Sequence, residues 1–189
     1  MLTAFNVTKR FGALKAVDQL SFEVQKGQIF GIAGPNGAGK STVYNLITGL
    51  YSYEGKIEFD GRNITGKPPY RIAKAGIART FQIPQTFPSL SVQKSISVGC
   101  RFGAAGGLDP NHVEEMIRFV DLEKERFQNT ALLNLLGKKK LMIGAALATK
   151  PKVLMLDEPM AGCNPMEIKS LMDLIARINR DLGSTCDSP

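Results

Sequence analysis

Residues 34–42 read Gly34-Pro35-Asn36-Gly37-Ala38-Gly39-Lys40-Ser41-Thr42 and fit the pattern G-x-x-x-x-G-K-[ST] at every defined position. Glycine at three of these positions lets backbone N–H groups turn toward a ligand, because no Cβ blocks its approach. The apolar run over residues 29–33 predicts a buried strand, and residues 40–50 predict a helix whose positive N-terminus faces phosphate groups. The segment therefore predicts a binding site for a nucleoside triphosphate.

Two side chains of this loop have chemistry that suits a triphosphate. The ammonium of Lys40 is expected to reach the β- and γ-phosphates, and the hydroxyl of Ser41 is expected to hold Mg²⁺. A glycine-rich turn that matches the pattern by accident is the alternative. The strand-then-helix context disfavours that alternative, so nucleotide binding is our prediction.

Length and composition indicate one globular domain with room for a small subdomain. The chain has 189 residues, of which 43% are hydrophobic and 22% charged. No apolar stretch approaches the ~20 residues that a membrane-spanning helix needs, and the N-terminus lacks the layout of a signal peptide, so we expect a soluble chain. Cys100, Cys163 and Cys186 have no metal-like spacing and are expected to be reduced thiols.

The chain carries a net charge of +7. Such a charge could suit nucleic acid, an anionic membrane surface or a nucleotide. A solvated basic surface is the simpler interpretation, since no nucleic-acid-binding motif is visible. We therefore predict no nucleic-acid partner.

The first sixty residues predict an antiparallel sheet. Residues 4–8, 20–24 and 56–59 alternate apolar and polar side chains, as half-buried strands do, and Lys26-Gly27 and Asp60-Gly61 are turn signals. Residues 66–110 are rich in glycine and proline, and predict loops with short helices.

Two helix starts are visible further along the chain. Asp109-Pro110 places proline at a first helical position, and residues 164–167 (Asn-Pro-Met-Glu) combine a cap residue with a glutamate three positions on. The second helix is expected to bury one apolar face, formed by Ile168, Leu171, Met172, Ile175, Ile178 and Leu182.

A second element predicts the other half of a metal–phosphate site. Residues 153–156 are continuously apolar, which is typical of a buried parallel strand, and Asp157 and Glu158 follow at the carboxyl end where ligands bind in α/β sheets. Asp157 is placed to bind Mg²⁺ through water, and Glu158 is a candidate to polarise the water that attacks the γ-phosphorus. An exposed acidic pair is the alternative, which the presence of the phosphate loop disfavours.

Together these motifs resemble the ATP-binding subunit of an ABC transporter, from about Leu2 to about Leu182. Residues 34–42 resemble the Walker A loop, residues 153–159 the Walker B strand, residues 79–82 the Q-loop and residues 161–165 the D-loop. The resemblance implies that the ring of Phe11 stacks on adenine, that Glu158 is catalytic and that Gln82 senses the γ-phosphate. The implied nucleotide-binding residues are Phe11, Val17, Gly34, Pro35, Asn36, Gly37, Ala38, Gly39, Lys40, Ser41, Thr42 and Gln82. The implied magnesium ligands are Ser41, Gln82 and Asp157.

The resemblance also implies a fold and partners. The fold is α/β, with a P-loop NTPase-like ABC ATPase core over approximately 1–82 and 141–189. To this core the resemblance adds an N-terminal antiparallel β subdomain and a small helical subdomain over approximately 83–140. The C-terminus is shortened. The implied cofactors are ATP and Mg²⁺. The implied partners are membrane permeases, a second ABC ATPase subunit in a homo- or heterodimer and, indirectly, an external solute-binding protein, with the chain peripheral on the cytoplasmic face of the membrane. Residues 76–82 and 157–162 resemble the branched-chain amino acid uptake subclass.

Two departures from the family pattern bear on hydrolysis. Where a signature such as LSGGQ is expected, residues 133–140 read Leu-Asn-Leu-Leu-Gly-Lys-Lys-Lys, with Asn134 at the position of the serine and Leu136 at the position of the second glycine. We interpret Lys138, Lys139 and Lys140 as solvated. The sequence printed here ends at Pro189, before the strand that carries the family's switch histidine, and His112 is expected on the surface.

These departures leave the activity open at the level of the sequence. The chain is expected to bind ATP but to hydrolyse it poorly on its own. The alternatives are a nucleotide-binding subunit with little or no intrinsic hydrolysis and an ABC-type ATPase that is not linked to a membrane.

Overall fold

The computed structural model describes residues 1–35, 37–104 and 106–184, with side chains up to residue 181. It divides into two compact units, Met1–Ile72 with the residues from Asn179 onward, and Ala73–Ile178. Asn36, Cys186 and the side chain of Leu182 lie outside the described part. The predicted division into a core and a helical subdomain over 83–140 stays a prediction.

The first unit contains a four-stranded antiparallel sheet. Its strands are β1 (Leu2–Phe11), β2 (Leu14–Val24), β3 (Glu54–Phe59) and β4 (Arg62–Asn63), in the order β2-β1-β3-β4. Alternation buries the apolar side chains Leu2, Ala4, Val7, Ile57 and Phe59. The strands predicted over 4–8, 20–24 and 56–59 are thus confirmed.

Helix α1 (Lys40–Ile47) follows the glycine-rich loop. The helix ends three residues earlier than predicted, because Thr48 leaves the helical conformation and Gly49 has a positive φ of 74°.

The predicted buried strand over residues 29–33 is wrong. The segment is irregular, and Ile29 is 68% exposed. An apolar run becomes a strand only where a neighbouring strand pairs its N–H and C=O groups, and neither sheet of the described residues includes this segment. Phe30 instead stacks on Phe22 of β2, with 5.3 Å between the ring centroids.

The second unit contains a parallel strand pair and several helices. Strands β5 (Ile77–Arg79) and β6 (Val153–Met155) pair with Ile77 opposite Val153 and Arg79 opposite Met155. The helices that follow α1 along the chain are α2 (Pro69–Ala75), α3 (Val92–Phe102), α4 (Pro110–Phe119), α5 (Leu135–Leu147) and α6 (Pro165–Ser184). In the described parts of these helices, none is both long enough and apolar enough to cross a bilayer.

Both predicted helix starts are confirmed by their capping bonds. The Asp109 carboxylate accepts hydrogen bonds from the backbone N–H of Asn111 (3.0 Å) and of His112 (3.3 Å) at the start of α4. At the start of α6, Asn164 and Glu167 exchange reciprocal side-chain-to-backbone bonds of 3.0 and 2.9 Å, which form a capping box.

The apolar face predicted for α6 is correct in part. Leu171 and Ile178 are buried as expected, but Met172 is exposed and Leu174 is buried. Because residues three and four apart share a face of a helix, the buried stripe runs through 171, 174 and 178, and Met172 lies about 100° away from Leu171.

Two predictions of surface exposure are wrong. Lys139 and Lys140 are buried, because their ammonium groups find partners: Lys139 Nζ donates to the Pro159 carbonyl at 2.7 Å, and Lys140 Nζ lies 3.0 Å from Asp121 Oδ2. The side chain of His112 is only 11% exposed, and its Nδ1 lies 3.2 Å from Glu115 Oε2.

Candidate functional site

The glycine-rich loop of the first unit is organised around Lys40. Its Nζ donates to the carbonyl oxygens of Gly34 (2.7 Å) and Pro35 (3.0 Å), which holds the ammonium over the loop. Ser41 and Thr42 form the first turn of α1, where backbone N–H groups have no partner within the helix and can bind an anion. The arrangement brings a positive charge, a hydroxyl and main-chain donors to one place.

Gly39 is the point where the loop meets the sheet. Its φ of 87° is left-handed, and a Cβ at this position would clash with the carbonyl oxygen of Ala16 on β2. The side chain of Val17 lies next to it, 3.6 Å from where that Cβ would be. Val17, predicted to contact nucleotide, therefore borders the loop.

Phe11 lies at the end of the same hairpin. It pairs with Leu14, and Lys9 on the same strand pairs with Val17, the residue that lies beside Gly39. The ring packs edge-on against Tyr51, with 5.4 Å between centroids, and Lys9 Nζ lies 5.0 Å from its centre. Phe11 remains 44% exposed, which leaves aromatic surface for a flat heterocycle.

In the second unit, the carboxyl ends of β5 and β6 bring the predicted acidic residues together with residues 79–82. Arg79 Nη2 lies 2.8 Å from Asp157 Oδ2, with side-chain exposures of 7% and 5%. The backbone N–H of Thr80 donates to the Met155 carbonyl at 2.9 Å, which extends the parallel ladder to this point. The Asp157 carboxylate thus lies in a low-dielectric site against a fixed cation.

Gln82 and Glu158 form the second contact between these segments. Gln82 Nε2 donates to Glu158 Oε2 at 2.6 Å. Glu158 has a positive φ of 43°, an uncommon conformation for a residue with a Cβ, and its carbonyl accepts from the N–H of Ala161 at 3.1 Å. A tight turn therefore aims the carboxylate at the glutamine.

The site residues fall into two groups. One group lies in the first unit, namely Phe11, Val17, Gly34, Pro35, Gly37, Ala38, Gly39, Lys40, Ser41 and Thr42. The other lies in the second unit, namely Gln82, Asp157 and Glu158. The roles assigned to them stay predictions.

Sequence reasoning missed the hydrogen-bond or ion-pair partners of three polar residues. Arg79 was given no partner, although a charged residue at the end of an apolar strand signals one, and Lys139 was interpreted as solvated. Asn134 caps α5: its Oδ1 accepts from the N–H of Gly137 at 2.8 Å. The position of Asn134 before a helical run was the available signal.

Comparison with known proteins identifies the family of this chain. The model of the ABC transporter family matches residues 17–161. The probable branched-chain amino acid transport ATP-binding protein LivG of Archaeoglobus fulgidus is 33% identical, over 95% of this chain and 76% of the relative. The high-affinity branched-chain amino acid transport ATP-binding protein BraF of Pseudomonas aeruginosa is 32% identical, over 98% and 79%.

Solved structures show the same fold. The crystal structure of a nucleotide-free ATP-binding cassette from an ABC transporter superposes with a TM-score of 0.84 at 31% identity, over 95% of this chain and 77% of that one. An ADP-bound cassette of an ABC transporter gives the same TM-score and identity. The predicted α/β ABC ATPase fold is confirmed. The chain belongs to the ABC transporter family and is an ATP-binding subunit similar to those of branched-chain amino acid transporters.

Proposed function

We propose that this chain couples the binding and hydrolysis of ATP to the uptake of branched-chain amino acids by an ABC transporter. The observation that carries the proposal is the contact of Lys40 Nζ with the carbonyl oxygens of Gly34 and Pro35 beside the start of α1, which brings a positive charge and helix N-terminal N–H groups close together. The transported class is suggested by the names of the similar proteins from Archaeoglobus fulgidus and Pseudomonas aeruginosa.

The first unit would bind the nucleotide. The ammonium of Lys40 would replace its hydrogen bonds to loop carbonyls with bonds to phosphate oxygens. Backbone N–H groups of residues 37–42 would donate to the same phosphates, and the exposed ring of Phe11 would stack on adenine. Val17, buried beside Gly39, supplies apolar contact at the junction of loop and sheet.

The residues present suit a magnesium ion. The carboxylate of Asp157 already binds a cation, the guanidinium of Arg79, and the Ser41 hydroxyl is a further hard oxygen ligand. Within the described residues, no three His, Cys, Asp or Glu side chains gather as a metal cage, so phosphate oxygens and water would complete the shell. Ser41, Gln82 and Asp157 would hold the ion, which neutralises phosphate charge.

Glu158 would act on the attacking water. Its carboxylate accepts the hydrogen bond from Gln82, so the glutamine fixes the direction of the base before substrate arrives. A water that donates to the other side of this carboxylate would be oriented and polarised for attack on the γ-phosphorus.

The segment after Gln82 would contact a membrane permease. Ile83 is 72% exposed and Phe87 lies half-exposed nearby in sequence, so apolar side chains stand in solvent directly after the residue that senses the γ-phosphate. A conformational change at Gln82 would thus be passed to the permease through a short stretch of chain.

The chain would have further partners. A second ABC ATPase subunit would supply the remaining residues of the nucleotide site, and an external binding protein would deliver the solute. The chain would lie at the cytoplasmic face of the membrane.

A subunit with little intrinsic hydrolysis is the second candidate. The observation that favours it is the hydrogen bond from Gly137 N–H to Asn134 Oδ1, which engages the side chain at the signature serine position within its own helix.

Two variants test these candidates. Lys40→Ala is expected to weaken binding of Mg²⁺·ATP by at least about tenfold, measured by calorimetry, because it removes the charge that faces the phosphates. Glu158→Gln is expected to keep ATP affinity and to retain ATP uncleaved in single-turnover assays. If the unmodified chain binds ATP and turns over no faster than Glu158→Gln, the second candidate is supported. If it binds no ATP, both candidates fail.

A further inference from the structure

An aromatic pair and a lysine form a cluster at the end of β1 in the first unit. The ring of Phe11 meets that of Tyr51 nearly perpendicularly, at an interplanar angle of 84°. Lys9 Nζ lies 5.0 Å from the centre of the first ring and 5.7 Å from the centre of the second, and it donates to the Ser52 carbonyl at 2.7 Å. The end of β1 is therefore tied to the segment after α1 by ring packing and by a hydrogen bond.

The segment that carries Tyr51 is itself fixed to α1. The helix is followed by a left-handed Gly49, whose φ is 74°, and the Leu50 N–H donates to the Asn45 carbonyl at 2.9 Å. Tyr51 comes directly after this turn, so its backbone is held close to the end of the helix. Because α1 begins at Lys40, one short helix connects the glycine-rich loop to the aromatic pair.

The strand pairing places the cluster near the loop. Lys9 pairs with Val17, and Val17 lies beside Gly39 of the loop. Phe11 is two residues further along β1, a step of about 7 Å in a strand. Since all these residues belong to the first unit, a nucleotide whose phosphates bind at the loop can bring its base to the Phe11 ring.

The contacts of the Phe11 ring set its orientation before a ligand arrives. Perpendicular packing is a preferred arrangement of aromatic rings, and an ammonium is attracted to the face of a ring. An exposed ring at the end of a strand otherwise moves among rotamers, and a ligand that stacks on it must immobilise it, which costs about two- to tenfold in affinity. Phe11 and Tyr51 both remain exposed, so their packing leaves ring surface for a ligand.

We propose that Tyr51 is a positioning residue for the base of the bound nucleotide. It holds the Phe11 ring in the orientation on which the base stacks, and Lys9 supports the same orientation. Tyr51 thus contributes to the affinity for the base and adds nothing to the affinity for the phosphates. This inference rests on the proposed function, and all the residues that it uses lie in the first unit.

The test compares two ligands that share phosphates but not a base. Binding of ATP and of inorganic tripolyphosphate, each with magnesium in excess, is measured by calorimetry on the full chain. Tyr51→Ala is expected to weaken ATP binding by about fivefold and to leave tripolyphosphate binding unchanged, because only ATP uses the Phe11 ring. A merely structural role of Tyr51 would weaken the binding of both ligands. Equal losses for the two ligands, or no loss for ATP, overturn the inference.

A double-mutant cycle tests whether Tyr51 acts through Phe11. Phe11→Ala alone is expected to weaken ATP binding by about tenfold, because it removes the stacking surface. Tyr51→Ala added to Phe11→Ala is expected to cause no further loss, since the ring that it positions is gone. A further loss of about fivefold in the double variant would show that Tyr51 acts independently of Phe11, and would overturn the inference.

Two control variants isolate the ring contact. Tyr51→Phe keeps the ring and is expected to bind both ligands as the unmodified chain does. A fivefold loss of ATP affinity in this variant would assign the effect to the hydroxyl and overturn the inference. Tyr70→Ala removes another exposed tyrosine of the first unit that also has a cation over its ring, Arg71 at 5.9 Å. It is expected to change neither affinity, and a loss equal to that of Tyr51→Ala would overturn the inference.

Tyr51→Leu covers the case in which Tyr51→Ala does not fold. It keeps apolar volume but loses the flat ring, so a loss of about threefold for ATP and none for tripolyphosphate is expected. Unchanged ATP affinity in this variant overturns the inference. The unmodified chain separates the two levels of argument. If it binds neither ligand, the proposed function fails; if it binds both ligands but the Tyr51 variants do not differ from it, only the role of Tyr51 fails.

Discussion

The ammonium of Lys139 donates a hydrogen bond to the main-chain carbonyl of Pro159 at 2.7 Å, although the lysine is only 2% exposed. Lys139 lies in α5, and Pro159 directly follows the catalytic candidate Glu158. A single buried side chain therefore ties this helix to the turn that carries the carboxylate. Burial of an ammonium is costly unless polar atoms replace its water, and this carbonyl is one such replacement.

Lys139→Ala is expected to destabilise the fold by about 2–3 kcal/mol, because it leaves a cavity and a carbonyl without its donor. Urea unfolding measures the change. The control is Lys138→Ala, one residue earlier and partly exposed, for which a change within about 0.5 kcal/mol is expected. Equal effects of the two variants would contradict the structural role of Lys139.

Gly39→Ala is expected to abolish nucleotide binding and to cost about 3 kcal/mol of stability, since left-handed backbone strain adds to a clash with the Ala16 carbonyl. Gly61→Ala is the matched control, because its φ of +71° is similar but nothing lies within 4 Å of the new methyl group. We expect Gly61→Ala to cost about 1 kcal/mol and to leave ATP affinity unchanged. Calorimetry and thermal unfolding check both. Normal ATP binding by Gly39→Ala would refute the fit of loop to sheet.

Asn134→Ala is expected to lower the free energy of unfolding by about 1 kcal/mol, because it removes the cap on the Gly137 N–H. Asn134→Ser restores an acceptor at the cap and also places a serine at the family's signature position. This second variant is expected to be as stable as the unmodified chain by urea unfolding. If Asn134→Ala has the same free energy of unfolding as the unmodified chain, the cap contributes nothing to stability.

The burial of Tyr53 predicts that the protein loses stability in alkaline solution. Burial raises the pKa of the Tyr53 phenol above its usual value, and the hydrogen bond with Thr65 lowers it by a smaller amount. Because the folded state disfavours the phenolate, this contribution to stability is complete below pH about 10 and is lost as the pH rises through the folded-state pKa. Tyr53→Phe is expected to show a shallower decline of melting temperature above pH about 10. If the melting temperatures of Tyr53→Phe and of the unmodified chain decline in parallel above pH about 10, burial of the Tyr53 phenol is not the cause of the decline.

Local patterns predicted the parts of the fold whose causes are local. The capping box of Asn164 and Glu167 and the cap at Asp109 depend on residues three or fewer positions apart, so the sequence contains the whole cause. The alternating strands of the first unit were predictable for the same reason, because one pattern of period two specifies which face is buried.

The errors concern residues whose surroundings come from distant parts of the chain. Residues 29–33 were predicted as a strand because they are apolar, but pairing depends on a neighbour that the local sequence does not reveal. Lys139 looked solvated because its partner, the Pro159 carbonyl, lies twenty positions away. Arg79 was assigned no role for the same reason, since Asp157 lies seventy-eight positions away.

Three residue pairs between β5 and β6 determine which acid meets which polar side chain. Side chains of a strand alternate between the two faces of the sheet. Sliding β5 by a single position along β6 would therefore turn the Arg79 guanidinium and the Asp157 carboxylate to opposite faces. An insertion of one codon between Ile77 and Arg79 would therefore misalign Asp157 and Glu158 with Arg79 and Gln82, while leaving all four side chains in the protein. The pairing of β5 with β6 therefore determines which side chains of the two segments can meet.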